Sequence, residues 1–291
     1  MIDGNAKQIG VVLKSGLVDC QDVRSLLLER RLYKTLSLYQ ASIAGVPVLP
    51  SLLLLERNDD IVLKRAEIWG FPVMLRMDYS SMPEEKPLGG IPIHTMSAVL
   101  GTSKFLWKKN LWPLLQRNVS RFLDIYSVGA LFESTSDVVT IEIVGPGFDA
   151  SDLRLGFTSP QEFLRVDLQR STIIQQHIME PTEYNKERSR RIEKINKFLH
   201  YVDYVNKEHE LLPSLDSFSQ SALDKTKSQL VPGEYSTLSR DSVQTLIAYC
   251  RTLQERVLRN LPTSPSYVAS LSLVKEIGWI LWDVYGSWYK R

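Results

Sequence analysis

Twice near its start this chain runs a helical pattern into a glycine and then a proline. That pairing constrains the fold more than any other feature. Residues 22–44 carry apolar side chains at helical spacing (Val23, Leu26, Leu27, Leu36, Leu38, Ile43), and Gly45 follows. Glycine accepts the left-handed backbone of a helix C-terminal cap. Val46-Pro47 beyond it cannot continue the helix, and the run through Leu55 reads as extended. A second helix, over residues 59–69, stops at Gly70, and Phe71-Pro72 opens a short buried strand ending near Asp78. Helix, stop and strand, repeated, predict helices packed on sheets.

Residues 79–92 are rich in proline, glycine and polar side chains and read as a loop. A helix is expected over 96–124, then strands over 129–133 and 138–145, the second of them β-branched and alternating. Past residue 180 the composition shifts. Residues 185–210 form a highly charged helical stretch with Ile192, Ile195, Phe198, Leu199 and Val202 on one face, and 213–240 read as a polar surface excursion. A helix over 241–260 and a hairpin of strands over 267–273 and 278–285, turning at Lys275-Glu276-Ile277-Gly278, close the chain. The fold class is α+β, or mixed α/β, with helices packed on antiparallel sheets.

Composition excludes more than it selects. The chain has 291 residues, 44% apolar and 23% charged, with a net charge of +2. That is enough to bury a core, and it offers no strongly basic face for nucleic acid or a membrane surface. Cys20 and Cys250 lie far apart without metal-ligand spacing and read as free thiols of a reducing compartment. The N-terminus lacks the apolar segment of a signal peptide, and no apolar run is long enough to span a bilayer, so a cytoplasmic location is expected. No GxSxG, CxxC or P-loop pattern occurs.

The order of motifs resembles an ATP-grasp domain. Lys34 sits at the start of the helix that ends Ala44-Gly45-Val46-Pro47, and Gly70-Phe71-Pro72-Val73-Met74-Leu75-Arg76 follows. These resemble the family's "aGvPvP" and "GyPvvvK" segments, with Lys34 and Arg76 separated much as the family's two ATP-contacting lysines are. Gly89-Gly90 falls where the family has its phosphate-covering loop. Ala130-Leu131-Phe132-Glu133 and Val139-Thr140-Ile141-Glu142 resemble the hinge strand and its successor, and Ile280 to Gly286 falls where the family has "flEiNpR". The likeness covers about residues 30–180 and 241–286. It implies a short N-terminal segment over 1–30, an N-terminal subdomain over 31–127, and a C-terminal subdomain over 128–291 with a helical insertion at about 181–240. Two α/β subdomains with antiparallel sheets would enclose a nucleotide cleft.

The resemblance also implies roles. Lys34 and Arg76 would hold phosphates, arginine keeping the charge with a forked geometry. Lys86 and the backbone at Gly89 and Gly90 would cover them, glycine having no Cβ to block close approach. The hinge at Leu131 to Glu133, with Glu142, would line the nucleotide. Asp283 would hold magnesium, and Arg154 would stabilise transferred charge. Asp149 and Asp152, in the turn-rich stretch after residue 145, and His94 are substrate candidates; the alternative readings are a turn or cap for the two acids and a surface or packing residue for His94. Arg188, Arg190 and Arg191 read as a solvated helix face, and Trp279, Trp282, Trp288 and Tyr289 as core packing or a partner surface.

Two departures from the family divide the functional expectation. Tyr285 stands where a metal-binding Asn would be, and Val268 to Leu273 offers hydroxyls in place of a second carboxylate. Few residues precede Lys34, so the substrate-completing N-terminal domain would come from a partner chain or be dispensed with. The chain is then either an ATP- and magnesium-dependent ligase that forms an acyl-phosphate on an unknown small carboxylate, or a catalytically degenerate relative serving as a nucleotide- or metabolite-binding subunit or scaffold. A helical adaptor with an accidental likeness is the third alternative.

Overall fold

The computed structural model describes residues 9–18, 21–80, 91–117, 124–145, 159–190, 192–193, 235–275 and 277–286. Those residues build two six-stranded sheets. The first half of the chain runs β1 (Ile9–Leu13), β2 (Gly16–Val18), α1 (Gln21–Glu29), α2 (Tyr33–Ile43), β3 (Ser51–Leu54), α3 (Asp59–Trp69), β4 (Val73–Asp78), β5 (Ile91–Ile93), α4 (Met96–Lys108) and β6 (Trp112–Gln116). The second half runs β7 (Asp124–Glu133), β8 (Val138–Val144), β9 (Glu162–Asp167), β10 (Thr172–Ile178), α5 (Arg240–Thr252), β11 (Ser266–Val274) and β12 (Gly278–Gly286). A helical stretch over residues 181–190 follows β10. The first sheet is ordered β2-β1-β3-β6-β4-β5 and the second β10-β9-β8-β7-β11-β12. All pairings are antiparallel except β1 with β3. The α+β class expected from the sequence is the one observed.

The two helix stops form as their glycines demand. Gly45 has φ 84° and Gly70 φ 75°, a region costly for residues with a Cβ. Asn58 caps α3 by accepting the Ile61 N–H at 3.3 Å. Several boundaries differ from expectation. The single helix over 22–44 is two, α1 and α2, broken at residues 30–32 where Arg31 takes φ 55°. The helix expected over 96–124 ends at Lys108, and β6 replaces its second half; Pro113 removes a helical donor there. The last helix becomes a π-turn at Leu253–Val257 and a 3-10 turn at Leu258–Asn260. Residues 9–29, expected as a short leading segment, supply β1, β2 and α1 of the first sheet. β9 and β10 fall in a stretch for which no element is expected, although Leu164, Val166 and Leu168 alternate along β9 and just beyond it.

Apolar packing sets three layers around α2. Val73, Leu75 and Met77 of β4 share a core with Val62 and Ala66 of α3 and Val99 and Leu106 of α4. Leu53, Leu114, Leu36 and Leu38 face the other way, and their core runs on into Val128, Ala130 and Phe132 of β7, Ile141 of β8 and Leu246, Ile247 and Cys250 of α5. The helix α2 therefore lies between the sheets and meets β1, β4 and β12. A bridge from Val48 to Leu281, with the Leu281 N–H donating to Pro47 O at 2.8 Å, ties the chain after α2 to the outer edge of β12.

Candidate functional site

The alternation of β4 decides which side chains reach α2. Leu75 and Met77 point into the α3–α4 core, so Arg76 and Asp78 point to the opposite face, where α2 begins. Leu32, at the start of α2, makes no capping side-chain bond. Asp78 does that work from a different element: its Oδ2 accepts the Thr35 N–H at 2.7 Å and its Oδ1 the Tyr79 N–H at 2.8 Å. A carboxylate at the N-terminus of a helix satisfies an orphan donor and complements the helix dipole. This contact fixes Lys34, one residue earlier, against β4. The Lys34 ammonium donates to Met77 O at 3.1 Å and lies 5.8 Å from the centre of the Tyr79 ring.

From the second sheet comes Asp283. A bulge in the β11–β12 pairing between Ser270 and Leu271 sets Asp283 opposite Ser270, while Leu281 and Val284 enter the core. The carboxylate thus leaves the core face and turns to the first sheet. Its Oδ2 lies 2.8 Å from Arg76 Nη2 and 3.5 Å from Lys34 Nζ. The second nitrogen, Arg76 Nη1, donates to Trp282 O at 2.7 Å and to Gln116 Oε1 at 3.4 Å. Gln116 in turn donates to Ser51 Oγ at 2.9 Å, and Ser51 to Leu49 O at 2.8 Å. The two cations expected on a polyphosphate do converge, and what they converge on is a carboxylate of the same chain.

Two cations and two carboxylates, Lys34, Arg76, Asp78 and Asp283, make a cluster with no net formal charge. It is closed off from water: the side chains of Lys34 and Arg76 are 10% and 14% exposed and that of Asp283 is 1% exposed. Burial pulls the Lys34 ammonium below its usual pKa, and the adjacent Arg76 charge adds to this while Asp283 opposes it. Burial pushes the Asp78 carboxyl above the usual range against Lys34 and its two amide donors. Removing one partner from such a cluster leaves an uncompensated buried charge, which costs about 3–5 kcal/mol.

These residues do not suit a magnesium ion. One oxygen of Asp283 already serves both cations, leaving Oδ1, which is buried and without a hydrogen-bond partner. Its neighbour across the ladder is a serine, and no group of three metal-ligating side chains occurs among the described residues. A divalent ion there would stand beside two positive side chains. Polyphosphate faces a related obstacle, since it would reach Arg76 and Lys34 only by displacing Asp283.

The other sequence candidates scatter. Phe132 is buried in the core on the face of β7 opposite Leu131, and Leu131 and Glu133 are exposed. Glu142 is half-buried, across from Gly129. The hinge expected at Leu131 to Glu133 lies inside the second sheet; the chain passes between sheets after Gln116, beside Arg76. His94 is exposed one residue past β5 and outside the buried cluster. Lys86, Gly89, Gly90, Asp149, Asp152 and Arg154 fall outside the described residues, as does Cys20. Cys250 is buried among apolar side chains and its thiol is pushed up to about 12, which leaves it inert as a nucleophile. Asp78 and Gln116 lie outside the residues that the sequence singles out; the one hint is an acid closing β4, whose other residues are apolar apart from Arg76.

No family model matches the chain, and no curated protein matches it. Solved structures resemble it at low identity. The carboxyaminoimidazole ribonucleotide synthase of Aspergillus clavatus, complexed with ATP, is 8% identical over 89% of this chain and 45% of its own, with a TM-score of 0.43. The D-alanine-D-alanine ligase of Coxiella burnetii is 7% identical over 91% of this chain and 53% of its own, with a TM-score of 0.44. ACD1 of Ca. Korarchaeum cryptofilum, in complex with coenzyme A, is 11% identical over 90% of this chain and 97% of its own, with a TM-score of 0.48. The chain spans about half the length of the first two.

Proposed function

We propose that this chain is a catalytically silent ATP-grasp-type protein that serves as a binding or scaffold subunit, with Asp283 standing where a polyphosphate would otherwise meet Lys34 and Arg76. The single observation that carries this is the shared contact of both cations with Asp283 Oδ2 in a buried, charge-balanced cluster. Nucleotide phosphates need cations that are free to replace lost hydration. Here Arg76 is engaged by Asp283, Trp282 O and Gln116, and Lys34 by Asp283 and Met77 O. The hydroxyl-bearing strand β11, with Ser270 opposite Asp283, gives no carboxylate to share a metal. Among the described residues no helix is long and apolar enough to cross a membrane; a cytoplasmic place and a protein partner complete the proposal.

The alternative is a ligase that makes an acyl-phosphate from a carboxylate with ATP and magnesium. Purified full-length protein incubated with ATP, magnesium and a panel of amino acids and small carboxylic acids distinguishes the two. The proposal expects ADP release no faster than from Arg76→Ala. Magnesium-stimulated release that Arg76→Ala abolishes would establish the ligase instead.

A further inference from the structure

Among the described residues the two sheets have four edges, and three are guarded. β2 is only three residues long. β5 is also three residues, with Pro92 at its centre, where no N–H can be donated. The outer edge of β12 is engaged by the bridge from Val48 and the bond to Pro47. Such devices keep a free edge from pairing with another chain.

The fourth edge is different. β10 runs seven residues, Thr172-Ile173-Ile174-Gln175-Gln176-His177-Ile178, with no proline, Asp, Glu, Lys or Arg, and every residue is exposed. Among the described residues it pairs on one side only, with β9. Ile173, Ile174 and Ile178 are 37%, 58% and 39% exposed. Across the ladder, Ile173 and Ile178 lie beside Val166 and Glu162, both on the buried face of β9, so apolar side chains overhang the core at this edge. A bulge at Ile174 is the one irregularity, and Gln175 to Ile178 beyond it pair regularly.

From this contrast we infer that β10 is the interface with a second copy of this chain, pairing antiparallel to the same strand so that the two outer sheets join into one. The charge pattern selects self-pairing. The strand is uncharged, so no like charges oppose each other. Its two flanks differ in sign: Arg170, 82% exposed although 3.9 Å from Asp167, precedes it, and the exposed Glu180 follows it. Antiparallel pairing lays the start of each strand beside the end of the other and brings Arg170 alongside Glu180 of the second copy at both ends. Backbone hydrogen bonds supply the attachment, and in this register Ile174 lies opposite Gln176 and diagonal to Ile178 of the second copy.

The test is the mass of the full-length protein in solution by light scattering across micromolar concentrations. The expected species is a dimer. Ile174→Lys and Gln176→Lys should each return it to monomer, or raise the dimer dissociation constant at least about tenfold, with the circular dichroism spectrum unchanged because both positions are exposed and the melting temperature lowered only to that of wild type diluted to monomer. Arg170→Glu should weaken the dimer, and Arg170→Glu with Glu180→Arg should restore it. A wild-type monomer at every concentration overturns the inference, even if it captures an unrelated extended peptide. A dimer indifferent to both lysine substitutions overturns it too.

Discussion

The two sheets meet at Asp283 with opposite charges. The first sheet and α2 bring Lys34, Arg76 and Asp78 to the seam, one net positive charge, and the second sheet brings Asp283, one negative charge. Had the second sheet carried a neutral side chain there, the first would face the cleft as an unpaired cationic site. Instead each sheet compensates the other, and the site reads as a clasp between halves of the molecule. The difference teaches that convergent cations are not by themselves a ligand site; what decides is whether the chain already holds their counter-ion.

The sharpest way to break that comparison is to remove the negative half. Asp283→Ala should lose about 3–5 kcal/mol, because Asp78 is then the one carboxylate near two buried cations and one positive charge is left uncompensated. For a chain of this size that is a fall in melting temperature on the order of ten degrees, read by calorimetry. If the variant melts like wild type, the cluster is not buried as described. Within the first sheet, Asp78→Asn is the next largest: asparagine has one oxygen for the two N–H groups that Asp78 serves, so one buried donor is left unsatisfied at about 1–3 kcal/mol. Hydrogen exchange should then rise at the start of α2 before it rises in the second sheet. Uniform loosening would contradict the assignment of Asp78 as the cap that places Lys34.

Legibility divides along the same seam. Lys34 and Arg76 were found because each lies in a local pattern, a helix closed by Gly45 and a strand opened after Gly70, and local patterns survive in sequence. The partnership of Arg76 with Asp283 spans most of the chain and depends on a one-residue bulge beside Ser270, which periodicity does not encode. Asp283 was therefore found as an acid but expected on a metal. Gln116 lies inside a run expected as helix, although Pro113 argues against one; pairing with β3 and β4 makes Trp112 to Gln116 a strand. β10 gave no alternation because both its faces are wet.

A smaller prediction isolates the second sheet from the clasp. Glu162 on β9 is buried, its Oε1 accepting the Leu238 N–H at 2.7 Å, and burial raises its pKa above 4.5. The folded state then binds more protons than the unfolded one just above pH 4.5, so this group's contribution to stability is present below that pH and lost as pH rises through the raised value. Glu162→Gln keeps an acceptor for Leu238 and removes the loss. Its melting temperature relative to wild type should therefore increase between pH 4.5 and pH 7. A difference that stays flat with pH would mean that Glu162 titrates as it does in the unfolded chain.

The most direct test of the clasp is calorimetric titration of magnesium-ATP into the wild-type protein and into Arg76→Ala. With Asp283 already holding Lys34 and Arg76, wild type should show no saturable binding tighter than about 1 mM, and the two titrations should overlay. Micromolar binding by wild type that Arg76→Ala abolishes would contradict the account, because it would mean that the two cations take a polyphosphate in preference to the carboxylate between them.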